Sequence, residues 1–501
     1  MNGQWKYQIG QCLGVGFDGP VIPDEYAELV RKYKIGNVIF FRRNVESFEQ
    51  IRALCRDLTA LIGAETGLPP FILAGEEGGS VSRLGHIAGF TPCPMAMGAT
   101  GDPHNARIIG RWMGKAMRAV GINMDSGPVL DCFSNPDNAV IGTRSFGPDP
   151  ETASAFGVEF TRGLQSAGVM ACGKHFPGHG DTSVDSHLAM PLVDKTEAEF
   201  RKTELPSFAA AIRAGIEAVM TAHVVLPAVD PERQPATVSK RIMTGLLRDE
   251  LGFQGVTISD GMEMKAVMDL YGIEEATLRA INAGCDMALI CHSAEQASST
   301  AEYLMRALED GRLKPETLED RCRRLEAWKQ KILPPMGAYE DFRCEEKLRD
   351  CRRIMEESIR LLHAPDGRPL PDLGKDTLFL GVPPRTASMV GDAGPLVAAE
   401  YMAKALGGIS GGITASDEAL QSARAAVAFL GPHPDLAQLQ QTVRRAAELG
   451  VPTVAVSLYT PRSLQDLPDT VWKICAWQYD ALSLGALEQY FIRARKKEEK
   501  A

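Results

Sequence analysis

The sequence has no apolar run near the ~18–20 residues that a membrane-crossing helix needs, so no membrane span is expected. It has no Cys-x-x-Cys pair. Its eleven cysteines are scattered and odd in number, which argues against a disulfide framework and against a thiolate zinc site. A reducing, cytoplasmic setting is the default for such a chain. It has no surplus of positive charge. Lys and Arg number 54 against 64 Asp and Glu, a net charge of −10, which disfavours nucleic acid and other polyanions as partners. The opening Met1-Asn2-Gly3-Gln4-Trp5-Lys6 lacks the charged start, apolar stretch and small-residue cleavage site of a secretory leader, so no signal peptide is expected. Low-complexity tracts and short solenoid repeats are absent too.

What is there is the material of a large soluble fold. Hydrophobic residues make up 45% and charged residues 24% of the 501 positions, enough for a sizeable core and too apolar for bulk disorder. Short β-prone runs fall at 9–16, 37–41, 71–74, 122–124, 169–172, 218–221, 256–259 and 287–291. Segments of helical spacing lie between them, at 24–32, 47–62, 151–167, 195–214 and 239–251. Strands that are apolar throughout belong to a parallel sheet covered on both faces. Eight such β/α units in one stretch predict a closed (β/α)8 barrel; a doubly wound open sheet is the weaker rival, because no reversal point is visible.

Leu333-Pro334-Pro335-Met336-Gly337 breaks a charged helical stretch and reads as the start of a linker. A helix is predicted over 345–362. A second alternation follows, with apolar runs at 378–382, 425–430, 454–458 and 472–476. The expected organisation is a catalytic barrel over 1–335, a linker and connecting helix over 336–360, and a smaller α/β sandwich domain over 361–501. The charged end, 493–501, is read as a fraying helix terminus.

In a barrel of this kind, active groups sit at the carboxyl ends of the strands. Ionisable residues do follow the predicted strands. Glu76-Glu77-Gly78-Gly79 follows the third; Asp131 and, after a long loop, Arg144 follow the fourth. Lys174-His175 follow the fifth, His223 the sixth, Asp260 the seventh and His292 the eighth. The densest segment is Lys174-His175-Phe176-Pro177-Gly178-His179-Gly180-Asp181-Thr182-Ser183-Val184-Asp185-Ser186-His187. Its Pro and Gly forbid a regular helix. A bend at Asp185-Ser186-His187 could set the carboxylate on one imidazole nitrogen and leave the other to exchange protons, although Asp-x-His alone is a weak signal. Asp260, fixed at a strand end, is placed to act as a nucleophile or to stabilise a developing cation.

Together these segments carry a resemblance. Lys-His-Phe-Pro-Gly-His-Gly-Asp-Thr, then Asp-Ser-His, then Ser259-Asp260-Gly261-Met262-Glu263-Met264 resembles family 3 glycoside hydrolases, most closely their bacterial β-N-acetylglucosaminidase branch. Glu77-Gly78-Gly79, Arg83, Gly127-Pro128-Val129-Leu130-Asp131 and Val140-Ile141-Gly142-Thr143-Arg144-Ser145-Phe146-Gly147 agree in the same order. The resemblance covers roughly residues 5–335, and the second domain looks like the smaller domain many members carry. It implies a retaining exo-hydrolase that removes terminal β-linked N-acetylglucosamine from cell-wall or chitin-like fragments. Asp260 matches the nucleophile, His187 the acid/base and Asp185 its dyad partner. Arg83, Arg144, Lys174 and His175 match residues that hold the terminal sugar. No metal and no cofactor are implied. The partner is a small carbohydrate, and the oligomeric state is left open.

One position departs from the pattern. Members of the branch usually carry Asp two residues before Glu-Gly-Gly; here Gly75 stands there, and Ser80 stands where Arg often follows. That Asp is expected to bind outer hydroxyls of the sugar. Glu76 is not an automatic substitute, since adjacent side chains on a strand point to opposite faces. Two other readings therefore stay beside the hydrolase: a phosphorylase on the same scaffold, where an imidazole acid/base repels phosphate less than a carboxylate, and a sugar-binding protein with reduced hydrolysis. Single residues also have plainer readings. Asp260 could cap a strand end, Arg83 and Arg144 could form structural ion pairs, and Glu77 could hold its loop instead of the sugar. His175 and His179 are four apart, but Pro177-Gly178 keeps them off one helix face and argues against zinc. His179 reads as a loop-packing residue, and His223 and His292 as satisfied rim histidines.

Overall fold

The computed structural model describes residues 2–182, 190–381, 383, 385, 391 and 396–498. Eight strands form its first unit: β1 (Leu13–Val15), β2 (Asn37–Phe40), β3 (Phe71–Ala74), β4 (Met124–Asp125), β5 (Met170–Phe176), β6 (Ala218–Thr221), β7 (Val256–Gly261) and β8 (Met287–Ile290). They pair in parallel in the order β1-β8-β7-β6-β5-β4-β3-β2, and β1 closes the barrel on β8 with Val15 opposite Ile290. The predicted (β/α)8 barrel is the fold. Every residue of these eight strands is buried except Asp260.

Local chemistry sets the helices that wrap it. Ser47 accepts the amide of Gln50 and starts the helix Phe48–Thr66, which ends on Gly67 in the left-handed region. Asp149 caps Pro150–Ser166 in the same way, with Pro at the first turn. Four segments differ from the sequence reading. The run 9–16 is helical as far as Gln11, and only Leu13–Val15 is strand; a short apolar run does not distinguish the two by period. The single helix expected over 195–214 is two, Glu197–Thr203 and Leu205–Arg213, because Pro206 supplies no backbone donor and begins a new helix. Arg241–Glu250 is wound as a π-helix. The helix expected over 345–362 stops at Ser358, and Arg360–His363 is a strand.

That strand, β9, is the edge of a second sheet completed by β10 (Thr377–Gly381), β11 (Ile409–Ser410), β12 (Ala425–Leu430), β13 (Thr453–Ser457) and β14 (Trp472–Cys475). The order is β9-β14-β13-β12-β10-β11, parallel except for β9. Helices cover both faces. One apolar layer joins Leu420, Leu439 and Val443 to the sheet. The other joins Met355, Met402 and Leu484 to it, and takes in Cys93, Met95, Phe133 and Ile141 from the barrel's loops. The two units thus share a core. Within 336–360, the helix Glu345–Ser358 joins that core through Met355, while its Cys351 and Ile354 pack into the barrel's own core. Among the described residues no helix is long and apolar enough to cross a membrane.

Candidate active site

The carboxyl ends of the barrel strands open into a cleft of about 400 Å³, within the size range of small-molecule sites. Arg83, Arg144, Lys174, His175 and Asp260 all line it, with Phe41, Gly75, Glu77, His179 and Glu263. Strand placement explains the convergence. β5 runs through to Phe176 and delivers Lys174 and His175. The chain after β3 forms a short hairpin, Glu76–Gly78 with Val81–Ser82, and delivers Glu77 and Arg83. The long loop after β4 carries Asp131 and ends in a single helical turn, Gly142–Arg144.

Two buried carboxylates organise the cations. Glu77, 1% exposed, accepts from Arg144 Nε at 2.7 Å and Nη2 at 2.8 Å and pairs with Lys174 Nζ. The bidentate fork fixes the guanidinium plane. Burial alone would raise the Glu77 carboxyl; Arg144 and Lys174 outweigh it and hold it well below the usual carboxylate range. Reciprocally, burial disfavours the Arg144 cation, and Glu77, Asp131 and Asp260 more than compensate. The second carboxylate, Asp131, accepts from His175 Nδ1 at 2.7 Å, from the His175 amide at 3.1 Å and from the His179 amide at 2.7 Å. Burial would raise it, but His175 and His179 lower it overall. Arg144 Nη2 lies 3.3 Å from His175 Nε2. A guanidinium has only donors, so Nε2 accepts there and Nδ1 donates to Asp131.

Asp260 stands at the end of β7, its Oδ1 accepting the Gly261 amide at 2.8 Å. His223 fixes that strand end from behind: its Nε2 donates to the Gly261 carbonyl at 3.0 Å, and its Nδ1 pairs with Thr237 Oγ1 at 2.9 Å. His223 is therefore a satisfied rim residue, as read from sequence. His179 is buried and bonded to Thr182 Oγ1 at 2.6 Å; burial and the neighbouring His175 push its imidazole down to about 4. On the open side, Phe41 forms a wall with the guanidinium of Arg83 5.9 Å from its ring centre and the His292 ring at 5.1 Å. Glu263 accepts the His292 amide at 2.9 Å.

Asp185 and His187 lie outside the described residues. The sequence reading put Asp131 on this rim but gave it no role, and it left Glu77 between loop and sugar. Both prove to be hubs of the cation cluster. Their partners lie 44 and 67 positions away, and the parallel pairing of β3 with β4 and of β4 with β5 brings them together. Phe41, directly after β2, could have been found by the same strand-end rule that found Asp260.

Gly75 has no side chain where the cleft approaches Lys174. Among the described residues, a Cβ there would meet only Lys174 Nζ, at 4.0 Å. Neither packing nor a left-handed backbone requires glycine at this position. Behind it, Asp125 is fully buried with Oδ1 on the Glu76 amide, and burial pushes its carboxyl well up.

The glycosyl hydrolase family 3 N terminal domain is matched over residues 6–327. The chain is 36% identical over 354 residues to beta-hexosaminidase A of Pseudoalteromonas piscicida, an overlap of 66% of this chain and 58% of that protein. It is 36% identical over 316 residues to a beta-hexosaminidase of Pseudomonas aeruginosa, covering 62% of this chain and 90% of that one. Among solved structures, a glycoside hydrolase family 3 beta-N-acetylglucosaminidase from Paenibacillus sp. str. FPU-7 superposes with a TM-score of 0.89 at 32% identity, over 98% of this chain and 96% of that one. The chain belongs to glycosyl hydrolase family 3.

Proposed function

We propose that the protein is a retaining exo-β-N-acetylhexosaminidase that removes a terminal N-acetylglucosamine. One observation carries the reading. Asp260 is the single residue of the eight barrel strands that is not fully buried, and it lines the cleft that holds the Arg144, Lys174 and His175 cluster. The names of the beta-hexosaminidase relatives and of the Paenibacillus structure support the choice of sugar.

In this mechanism the Asp260 carboxylate forms a bond to the anomeric carbon as the glycosidic C–O bond breaks. His187, oriented by Asp185, gives its proton to the departing oxygen. Water then attacks the anomeric carbon, passes a proton to His187 and releases Asp260, so both groups return to their starting state. Arg83, Arg144, Lys174 and His175 hold the terminal sugar. An ammonium has three donors, so Lys174 can serve Glu77 and sugar hydroxyls together. The natural substrates are cell-wall or chitin-like fragments, and the compartment is the cytoplasm, a setting that suits eleven cysteines all carried as free thiols. Residues 1–335 form the catalytic unit, 336–360 the connection and 361–501 the second domain.

Aryl β-glycosides differing at C2 and C4, assayed with and without phosphate, test the proposal. The expected result is aryl release from the N-acetyl-β-glucosaminide, with β-configured free sugar as the first product. No release, or sugar 1-phosphate formed only when phosphate is present, would overturn it.

A further inference from the structure

In an open parallel sheet, the crevice beyond the carboxyl ends of the strands is the usual ligand site. In the second domain that edge meets loops of the barrel beyond β13 and β14. Directly after β13, Tyr459 donates its hydroxyl to the Ala139 carbonyl at 3.1 Å. Its ring lies against Gly142, which has a φ of 45°. A Cβ at 142 would overlap the Tyr459 hydroxyl and come 2.5 Å from ring Cζ, so this contact needs both the left-handed backbone and the missing side chain. Two residues later the same turn presents Arg144. Burial raises the Tyr459 phenol, and Arg144 is close enough to oppose that rise.

After β14, Gln478 reaches toward the hairpin that carries the other half of the pair. Its Oε1 accepts the Cys93 amide at 2.6 Å, while its Nε2 donates to Asp480 at 2.7 Å. The same Oε1 would lie 3.6 Å from a Cβ on Gly79, in the hairpin that carries Glu77. Cys93, Phe133 and Ile141 continue the second domain's apolar core into both loops. An ion pair between Arg462 and Asp137 spans the same contact at 2.8 Å, but it is exposed and adds little.

We infer that the second domain sets the geometry of the Glu77–Arg144 pair, with Tyr459 and Gln478 as positioning residues for the sugar-binding cluster. The inference rests on the glycosidase reading for its kinetic consequence, and on geometry alone for its structural one. Tyr459 touches the loop from beneath Gly142 and acts through Arg144.

The test uses the full chain with Tyr459→Ala, Tyr459→Phe and Gln478→Ala. Kinetics are measured on an aryl N-acetyl-β-glucosaminide, together with melting temperature and amide hydrogen exchange over residues 138–144. Tyr459→Ala is expected to raise KM about 5- to 10-fold, the factor carried by one ordinary hydrogen bond, with kcat held within about threefold. Tyr459→Phe, which keeps the ring, recovers part of the loss. A merely less stable protein would lower the active fraction and hence apparent kcat, leaving KM alone. Combined with Arg144→Ala, Tyr459→Ala adds no further KM effect if it acts through that arginine. Unchanged KM and exchange in folded Tyr459→Ala and Gln478→Ala, or fully additive double-variant effects, would overturn the inference. An inactive wild type counts against the glycosidase reading instead; exchange over 138–144 then still decides whether Tyr459 orders the loop.

Discussion

At the carboxyl ends of the barrel strands, Glu77 is gripped by Arg144 and Lys174. At the amino ends, Asp286 is gripped by Arg248 at 2.8 Å and by Arg324, and it also accepts the Thr257 amide and hydroxyl at 2.8 and 2.9 Å. Each cluster sets a carboxylate between two cations at similar depth, since Glu77 is 1% and Asp286 0% exposed. They differ in what lies above them. The upper cluster forms the floor of a cleft that ends in Asp260. The lower one is capped by the helix Pro315–Lys329, whose Lys329 Nζ reaches Gln11 Oε1 at 2.5 Å and the Gly36 carbonyl at 2.8 Å. Buried charge by itself therefore does not mark a functional site. A buried cluster facing a cavity, beside a partly exposed carboxylate at a strand end, does.

Substitutions should separate the two ends. Asp260→Asn should lower kcat by roughly 10⁴-fold, as loss of one member of a catalytic pair does, and leave the thermal midpoint nearly unchanged; a loss of stability instead would make Asp260 a structural residue. Asp286→Ala should do the reverse. Breaking a buried charge cluster from one side costs about 3 kcal/mol of stability, readable in urea unfolding, while kcat/KM of the folded fraction stays within about threefold.

The lower end also predicts a pH effect. Burial, only partly opposed by Cys322, Cys12 and Glu326, holds the Lys329 ammonium down to about 7. The unfolded chain therefore binds more protons than the folded one between pH 7 and the ordinary lysine range, and stability from this group rises with pH across that window, by at most about 1.4 kcal/mol per unit. Lys329→Met removes the slope. Relative to wild type, the variant should be most favoured near pH 6, with that advantage shrinking steadily from pH 7 toward the ordinary lysine range; a pH-independent difference would contradict the assignment. Least in size is Gly75→Asp. The position has room for a side chain beside Lys174, so the variant should fold and gain a carboxylate that bonds an outer hydroxyl of the sugar. Discrimination between C4 epimers, measured as a ratio of kcat/KM, should rise by about tenfold.

Much of this was legible in the sequence because of where apolar residues stop. The runs 71–74 and 218–221 coincide with β3 and β6, since strands covered on both faces have no polar positions to blur their ends. Asp260, Lys174 and His175 were found by their place just past such runs. Residues 9–16 misled because a short apolar run fits a helix or a strand equally well. Asp131 as the partner of His175 and Tyr459 beneath Gly142 were not legible at all. Those contacts join segments 44 and 320 positions apart, and no local pattern encodes them.

The most direct test of the account is to trap its intermediate. A 5-fluoro N-acetylglucosaminyl fluoride, whose fluorine slows both steps by destabilising positive charge at the anomeric carbon, should leave one sugar on the protein by intact mass. Peptide mapping should then place that sugar on the Asp260 carboxylate. Labelling at any other residue, or turnover without a trappable adduct and with inverted product, would contradict it.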